Sequence, residues 1–226
     1  MHGGTPDGGL HTKGKRRFRK RETMMEIKRI DTYTDHRFSQ KVLDQHGCFL
    51  IEGMPCEVEI LSDFEAVVRG KDRNAYPQLM EQFRFYTPHI SKFYDDCGKL
   101  IREYPAMPVF NIAIGEIQPS QFFVDEEKIA AIRRFIHHPQ DIIIQVMMHN
   151  GSCISLDGHT RLYEAVLNGW NTVRAVEVTA DQNILGFVEE AKRRNIHSPK
   201  DMKLVSHREY EEKWNRFCAE YFQRLE

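Results

Sequence analysis

Residues 152–161 read Ser-Cys-Ile-Ser-Leu-Asp-Gly-His-Thr-Arg. A β-prone apolar run ends at Leu156, a turn follows at Asp157-Gly158, and a helix opens near Thr160 and runs to Asn168. Strand, glycine turn and helix N-terminus together form an anion site, because the first N–H groups of a helix lack acceptors and the helix dipole favours negative charge there. Gly158 lets the backbone approach a ligand closely. Thr160 is a candidate N-cap whose hydroxyl also suits phosphate. Arg161 adds a planar fork matched to phosphate oxygens. A cation in the first turn of a helix opposes the dipole, so Arg161 argues most strongly for an anionic partner. Asp157 and His159 are the candidate catalytic residues, offering a carboxylate and an imidazole to a metal, a sugar hydroxyl or a proton in transit. The plain alternatives are a common Asp-Gly turn pair and a histidine of the surface or core.

Such a turn needs a sheet behind it, and residues 109–180 alternate strands and helices in the required way. Val109–Ile117 reads as one strand, and Asp125–His137 as a helix with Ile129, Ile132 and Ile136 on one face. Asp141–Met148 and Cys153–Leu156 read as strands joined through the turn His149-Asn-Gly-Ser152. Thr160–Asn168 reads as a helix closed by Gly169, and Asn171–Val178 as a last strand. The paired His137-His138 suit a helix end and lack the spacing to face one metal, so no metal site is assigned.

Residues 25–105 form a smaller α+β unit, separated by Tyr104-Pro-Ala-Met-Pro108. Asp35–Gln45 reads as a short helix with Asp35 as N-cap. Gly47–Ile51, Glu57–Leu61 and Glu65–Arg69 read as strands, Tyr76–Arg84 as a helix, and His89–Ile101 as a strand pair around Asp95-Asp-Cys-Gly98. Phe83, Phe85, Tyr86, Phe93 and Tyr94 are read as core rather than as a base-stacking surface, which needs more interleaved basic residues than Arg84 and Lys92. Residues 181–226 read as helical. His197–Ser206 is a connecting loop, Ser206 and Glu209 make a capping box, and Tyr210, Trp214, Phe217, Cys218, Tyr221 and Phe222 form an apolar stripe. That stripe either docks on the domain or serves as a homodimer face.

The chain has 226 residues, 41% hydrophobic and 29% charged, with a formal net charge of −1. This is the composition of one or two globular α/β domains. Near-neutral charge gives the whole chain no pull toward nucleic acid or membrane. No apolar run approaches the roughly 20 residues of a membrane span. The five cysteines, Cys48, Cys56, Cys97, Cys153 and Cys218, are scattered with no CxxC pair. That pattern, with no signal-peptide core, predicts reduced thiols in the cytoplasm. Residues 1–23 are glycine-rich with a basic run at 13–21 and read as a disordered tail. The run is either a nucleic-acid or nuclear-import patch, a solvated tail, or upstream sequence preceding a start at Met24-Met25.

Residues 109–178 resemble the N-terminal domain of ParB-type partition proteins and the related sulfiredoxin fold. The likeness is carried by Ile117-Gln-Pro-Ser-Gln121, the helix after Asp125, the run Ile142–Val146, and Ile154-Ser-Leu-Asp-Gly-His-Thr-Arg161 with its helix to Asn168-Gly169. The resemblance implies a nucleotide-binding protein that takes ATP, ADP or CTP with Mg²⁺. Gly158, His159, Thr160, Arg161, Ser120 and Gln121 would then contact the nucleotide. Sulfiredoxins place a nucleophilic cysteine where this chain has His159, so sulfinic acid repair is not implied. The second catalytic motif and helix-turn-helix of partition proteins are not visible, which disfavours a DNA clamp. Free serine kinases of this fold carry an Asp-Gly-His-His-Arg loop and a catalytic Glu two residues after the opening proline. Here Thr160 replaces the second His and Gln121 the Glu, and an amide cannot accept a proton as a carboxylate does. The expected function is hydrolysis of a nucleotide or transfer of its phosphate to a small-molecule acceptor. The alternative is a non-catalytic nucleotide- or DNA-binding module.

Overall fold

The computed structural model describes residues 25–224 and shows a mixed α/β chain with two main sheets and C-terminal helices. The expected tail over residues 1–23 lies outside the described residues. No helix among them is long and apolar enough to cross a membrane.

The first sheet holds β1 (Ile27–Arg29), β2 (Cys48–Ile51), β3 (Met54–Ile60), β4 (Glu65–Gly70), β5 (Lys92–Tyr94) and β6 (Leu100–Glu103) in chain order. All neighbours are antiparallel except β4 and β5, which run parallel. Helix α1 (Gln40–Asp44) precedes β2, and α2 (Tyr76–Tyr86) forms the crossover between β4 and β5. Tyr76, Leu79, Met80 and Phe83 lie on one face of α2 and are buried with Phe49, Val58, Val68 and Phe93. Two sequence expectations change here. The N-cap of α1 is Ser39, whose hydroxyl accepts from Val42 N–H, because the Asp35 carboxylate is held by Arg37 in the preceding turn. Phe85 is not core: it lies on the solvent face of α2 and is 73% exposed.

The second sheet has the order β7-β12-β10-β11-β8, built from β7 (Val109–Ala113), β8 (Ile117–Pro119), β10 (Ile143–His149), β11 (Ser152–Asp157) and β12 (Thr172–Glu177). Between them come β9 (Phe123–Asp125), α3 (Glu126–Ile132) and α4 (His159–Leu167). After β12 follow α5 (Ile184–Arg193), β13 (Lys203–Val205), α6 (His207–Tyr210), a π-helical segment at Glu211–Asn215 and α7 (Arg216–Gln223). The expected single strand Val109–Ile117 is two strands. A 3-10 turn over Ile114–Glu116 breaks it, and β7 and β8 occupy opposite edges of the sheet. Helix α3 is shorter than expected, ending at Ile132, and Asp125 is its N-cap. The expected loop 197–206 contains β13, which pairs in parallel with β9.

Asn150 and Gly151 both take positive φ, 49° and 78°, in the β10–β11 hairpin, as a two-residue turn of this kind requires. Gly169 has φ +69°. Its N–H bonds Val166 O, and Trp170 N–H bonds Ala165 O, both at 3.0 Å, closing α4 as a Schellman cap. The C-terminal stripe packs inward: Trp214 and Phe217 meet Phe122 with ring centroids at 4.8 and 5.1 Å, and Phe187 at 5.9 and 5.7 Å.

The two sheets meet through polar contacts. Gln145 donates to the carbonyls of Phe85 and Tyr86 at the end of α2. Arg174 pairs with Asp63, and Arg134 with Asp44 at 2.9 Å.

Candidate functional site

The turn between β11 and α4 takes its shape from Gly158. This residue is the N-cap of α4 and sits at φ +83°, in the left-handed region. It has no side chain with which to cap, and Leu162 N–H makes the first intrahelical bond, to Gly158 O at 2.9 Å. The N–H groups of His159, Thr160 and Arg161 therefore have no backbone acceptor. Thr160 is not the N-cap: the cap is Gly158, so the helix starts two residues earlier than a Thr160 cap would place it, and Thr160 lies half-buried in the first turn.

Arg161 turns back along the strand side of α4. Its Nη1 donates to Ile143 O at 2.9 Å, and its Nη2 lies 3.7 Å from Asp157 Oδ2. The Asp157 side chain keeps half its surface open. Burial works against its charge, but the Arg161 guanidinium, the Gly158 N–H and His159 outweigh it and hold the carboxyl below the ordinary carboxylate range. Asp157 is therefore an ionised, accessible carboxylate beside an unbonded helix N-terminus.

His159 stands behind the turn and is 6% exposed. Ser120 Oγ lies 2.7 Å from Ser155 O and 3.1 Å from His159 Nε2. Ser120 Oγ thus bridges the Ser155 carbonyl and the His159 ring. Burial, opposed by Asp157, pushes the His159 imidazole down to about 4, which leaves it neutral. This pair ties α4 to the loop after β8. Gln121 does not join it: its amide donates to Phe123 O at 2.5 Å and lies 3.4 Å from Tyr210 Oη, toward the C-terminal helix.

Three titratable groups of the first unit, none of them on a strand, feel the charge of Arg161. Arg161 is the strongest charged neighbour of both the Tyr33 hydroxyl and His89, and it also acts on His46. Burial is the main influence on all three. It pushes Tyr33 up to about 12, and His46 and His89 each down to about 4. Tyr33 Oη is 2.9 Å from His46 Nε2. His89 is 7% exposed, and its Nδ1 is buried with no hydrogen bond among the described residues. Arg29 pairs with Asp31 at 2.5 Å and stacks over Tyr86 at 3.7 Å. The one sequence signal for this group is His46, which follows α1 at the position where a helix-closing glycine is usual.

Asp95, Asp96 and Cys97 are the one cluster of potential metal ligands among the described residues. Asp95 already accepts from the N–H groups of Cys97 and Lys99 and pairs with Arg73, as the hairpin turn between β5 and β6 requires. A cleft of about 600 Å³ lined by Glu116, Gln118, Met148, Cys153 and His197 lies apart from the 157–161 turn.

Comparison with known proteins adds little. No family model matches the chain, and no curated protein matches it. Among solved structures, a crystal structure of protein Atu1540 from Agrobacterium tumefaciens aligns at 17% identity and a TM-score of 0.31. The alignment covers 42% of this chain and 61% of that one, less than two thirds of its length.

Proposed function

We propose that this protein binds a nucleoside di- or triphosphate (ATP, ADP or CTP) with Mg²⁺ at the Asp157–Arg161 turn. It then hydrolyses the nucleotide or passes its phosphate to a small acceptor held against the first sheet. The reading keeps the domain of residues 109–180 as ParB/sulfiredoxin-like, on the motifs given above. The observation that carries it is the meeting, at one turn, of three N–H groups without backbone acceptors, an ionised half-open carboxylate and a guanidinium. The N–H groups and the dipole of α4 hold phosphate. Arg161, steadied on Ile143, adds positive charge. His159 and Ser120 work from behind, fixing the start of α4 against the loop after β8.

The donor set fits Mg²⁺. That ion is usually held by one or two carboxylates with substrate phosphates and water completing its shell, and Asp157 offers one open carboxylate. When bound, the ion neutralises charge on the phosphate oxygens. Measuring phosphate release from Mg-ATP and Mg-CTP tests the reading. Wild type should turn over at least one of them, and Asp157→Asn should lose turnover while keeping its melting temperature. Failure of wild type to bind or turn over any nucleotide sinks it.

The position of Gln121 favours a second reading. Its amide faces Tyr210 rather than the turn, so the equivalent of a kinase carboxylate base is missing. A regulatory module that binds nucleotide, or DNA phosphate, without turnover accommodates that. Steeply salt-dependent DNA binding that needs residues 1–23 would mark the DNA form of it.

A further inference from the structure

The cleft of about 600 Å³ opens at the opposite end of β11 from the 157–161 turn. Strands β8 and β11 run parallel, with Cys153 beside Ile117 and Ser155 beside Pro119. Gln118 and Cys153 line the cleft near the start of this pair, and Ser120 and Asp157 follow at its far end. Cys153 and Asp157 are four positions apart, about 13 Å of strand. The cleft is therefore a separate place on the same sheet, with room for a small molecule.

Gln118 is only 8% exposed, and its hydrogen bonds fix the way its amide faces. Nε2 donates to Pro119 O at 2.9 Å and to Ile196 O at 3.0 Å. Both acceptors are carbonyls, so the NH2 end faces them and both of its hydrogens are used. The amide oxygen Oε1 accepts from none of the described residues, yet it is not sealed in the core. An acceptor left unmet in so buried a side chain favours any donor that reaches it. The bond to Ile196 O also seats the next residue, His197, on the cleft wall, where its N–H is held by Asp201 Oδ2 at 3.1 Å.

The rest of the lining selects the donor. Glu116 adds an exposed carboxylate, and none of the lining residues is Lys or Arg. Ile112, Met148 and Cys153 supply apolar surface. Burial, then the charges of Glu177 and Glu116, pushes the Cys153 thiol up to about 11, so it stays protonated and packs as a small apolar group. Glu116, Cys153 and His197 do not converge on one metal ion: among the described residues, the ligand atoms close enough together for that are those of Asp95, Asp96 and Cys97. A fitting ligand is thus a molecule with a positive, donor-rich head and an apolar body.

We propose that this cleft binds a primary ammonium ion carried on an apolar chain, its head between Gln118 Oε1 and the Glu116 carboxylate and its chain against Ile112 and Met148. An ammonium group has three donors and no acceptor, which matches a lining that offers acceptors and no cation. The proposal stands apart from the nucleotide reading, which rests on the other end of β11.

The test is a titration of the whole protein with hexylamine by ligand-observed NMR, with hexanol as the neutral counterpart and hexanoate as the anion. Replacing Gln118 would also release Ile196, so the exposed Glu116 and Met148 carry the variants, Glu116→Gln and Met148→Lys. The first removes the charge partner and the second sets a cation at the cleft. The expected result is saturable hexylamine binding, weaker binding of hexanol and hexanoate, and a loss of roughly tenfold or more in each variant at unchanged Tm. Absence of saturable hexylamine binding overturns the proposal. Hexanol or hexanoate binding as tightly as hexylamine overturns it too, since the cleft would then be merely apolar or would prefer anions. Hexylamine binding that Glu116→Gln leaves unchanged lies elsewhere and overturns it as well.

Discussion

Gly158→Ala tests the geometry of the turn by itself, apart from any ligand. The backbone there lies at φ +83°, a conformation that costs an L-residue about 1–2 kcal/mol. The added methyl also has no room. It would stand 2.8 Å from Ile144 Cγ2 and 3.1 and 3.3 Å from Arg161 Nη2 and Nε. Ile144 is fully buried in β10 and cannot give way easily, while Arg161 is held on Ile143 O. Overpacking of this kind typically costs about 1–3 kcal/mol. The two effects are separate, and a total loss near 3 kcal/mol is expected, which for a chain of this size lowers Tm by roughly 6–12 °C. Urea unfolding should show the midpoint falling with an unchanged m-value. Because Arg161 is displaced, nucleotide affinity should fall as well. A loss below about 0.5 kcal/mol, the range of ordinary surface substitutions, would refute the packing of this turn.

Acid should destabilise the fold through His46, His89 and His159, whose imidazoles are held near 4. The unfolded chain takes up protons first, near the ordinary histidine value of about 6.5. Stability should therefore be full above that pH and decline as the pH falls toward about 4, and His159→Asn should flatten part of the slope in urea titrations. His207 works in the opposite sense. Its Nδ1 lies 2.7 Å from the buried carboxylate of Asp125, which raises the imidazole above its usual value. The support it gives to the C-terminal helix is present below about pH 6.5 and should fade as the pH rises through the raised value. Limited proteolysis within residues 206–224 should show this, and His207→Gln should remove the pH dependence. In α5, a methyl on Gly186 would strike the Tyr221 ring, whose hydroxyl donates to Asn183 O at 2.9 Å. Gly186→Ala should lose about 1 kcal/mol through that bond, set against up to about 1 kcal/mol gained in helix propensity, so it should be near neutral in wild type and stabilising in a Tyr221→Ala background by double-mutant cycle.

The elements that the sequence displays well are those with a strong local pattern. Strands β2 to β4, the Tyr76 helix and the Asn150-Gly151 hairpin follow from short apolar runs separated by turn residues. The capping box of Ser206 and Glu209 is equally local. Apolar content misleads at Val109–Ile117: Phe110, Ile112 and Ile114 alternate, but the rhythm breaks at Glu116 within a 3-10 turn that sends β7 and β8 to opposite edges. Strands β9 and β13 have three residues each and exist because they pair across the chain, which leaves too little for a periodic signal. At the site, Asp157, Gly158 and Arg161 are adjacent in sequence and legible together. Tyr33, His46 and His89 belong to the first unit, far from this motif in sequence. His46 alone leaves a trace, as a side chain where a glycine cap is usual.

The most direct test of the account is a calorimetric titration of ATP, ADP and CTP with Mg²⁺, on wild type and Arg161→Ala, with Tm followed in parallel. A nucleotide at a hundred times its Kd should stabilise wild type by roughly 2.7 kcal/mol, and Arg161→Ala should abolish both the heat and the Tm rise. No heat and no shift with any of the three would contradict a nucleotide site at residues 157–161.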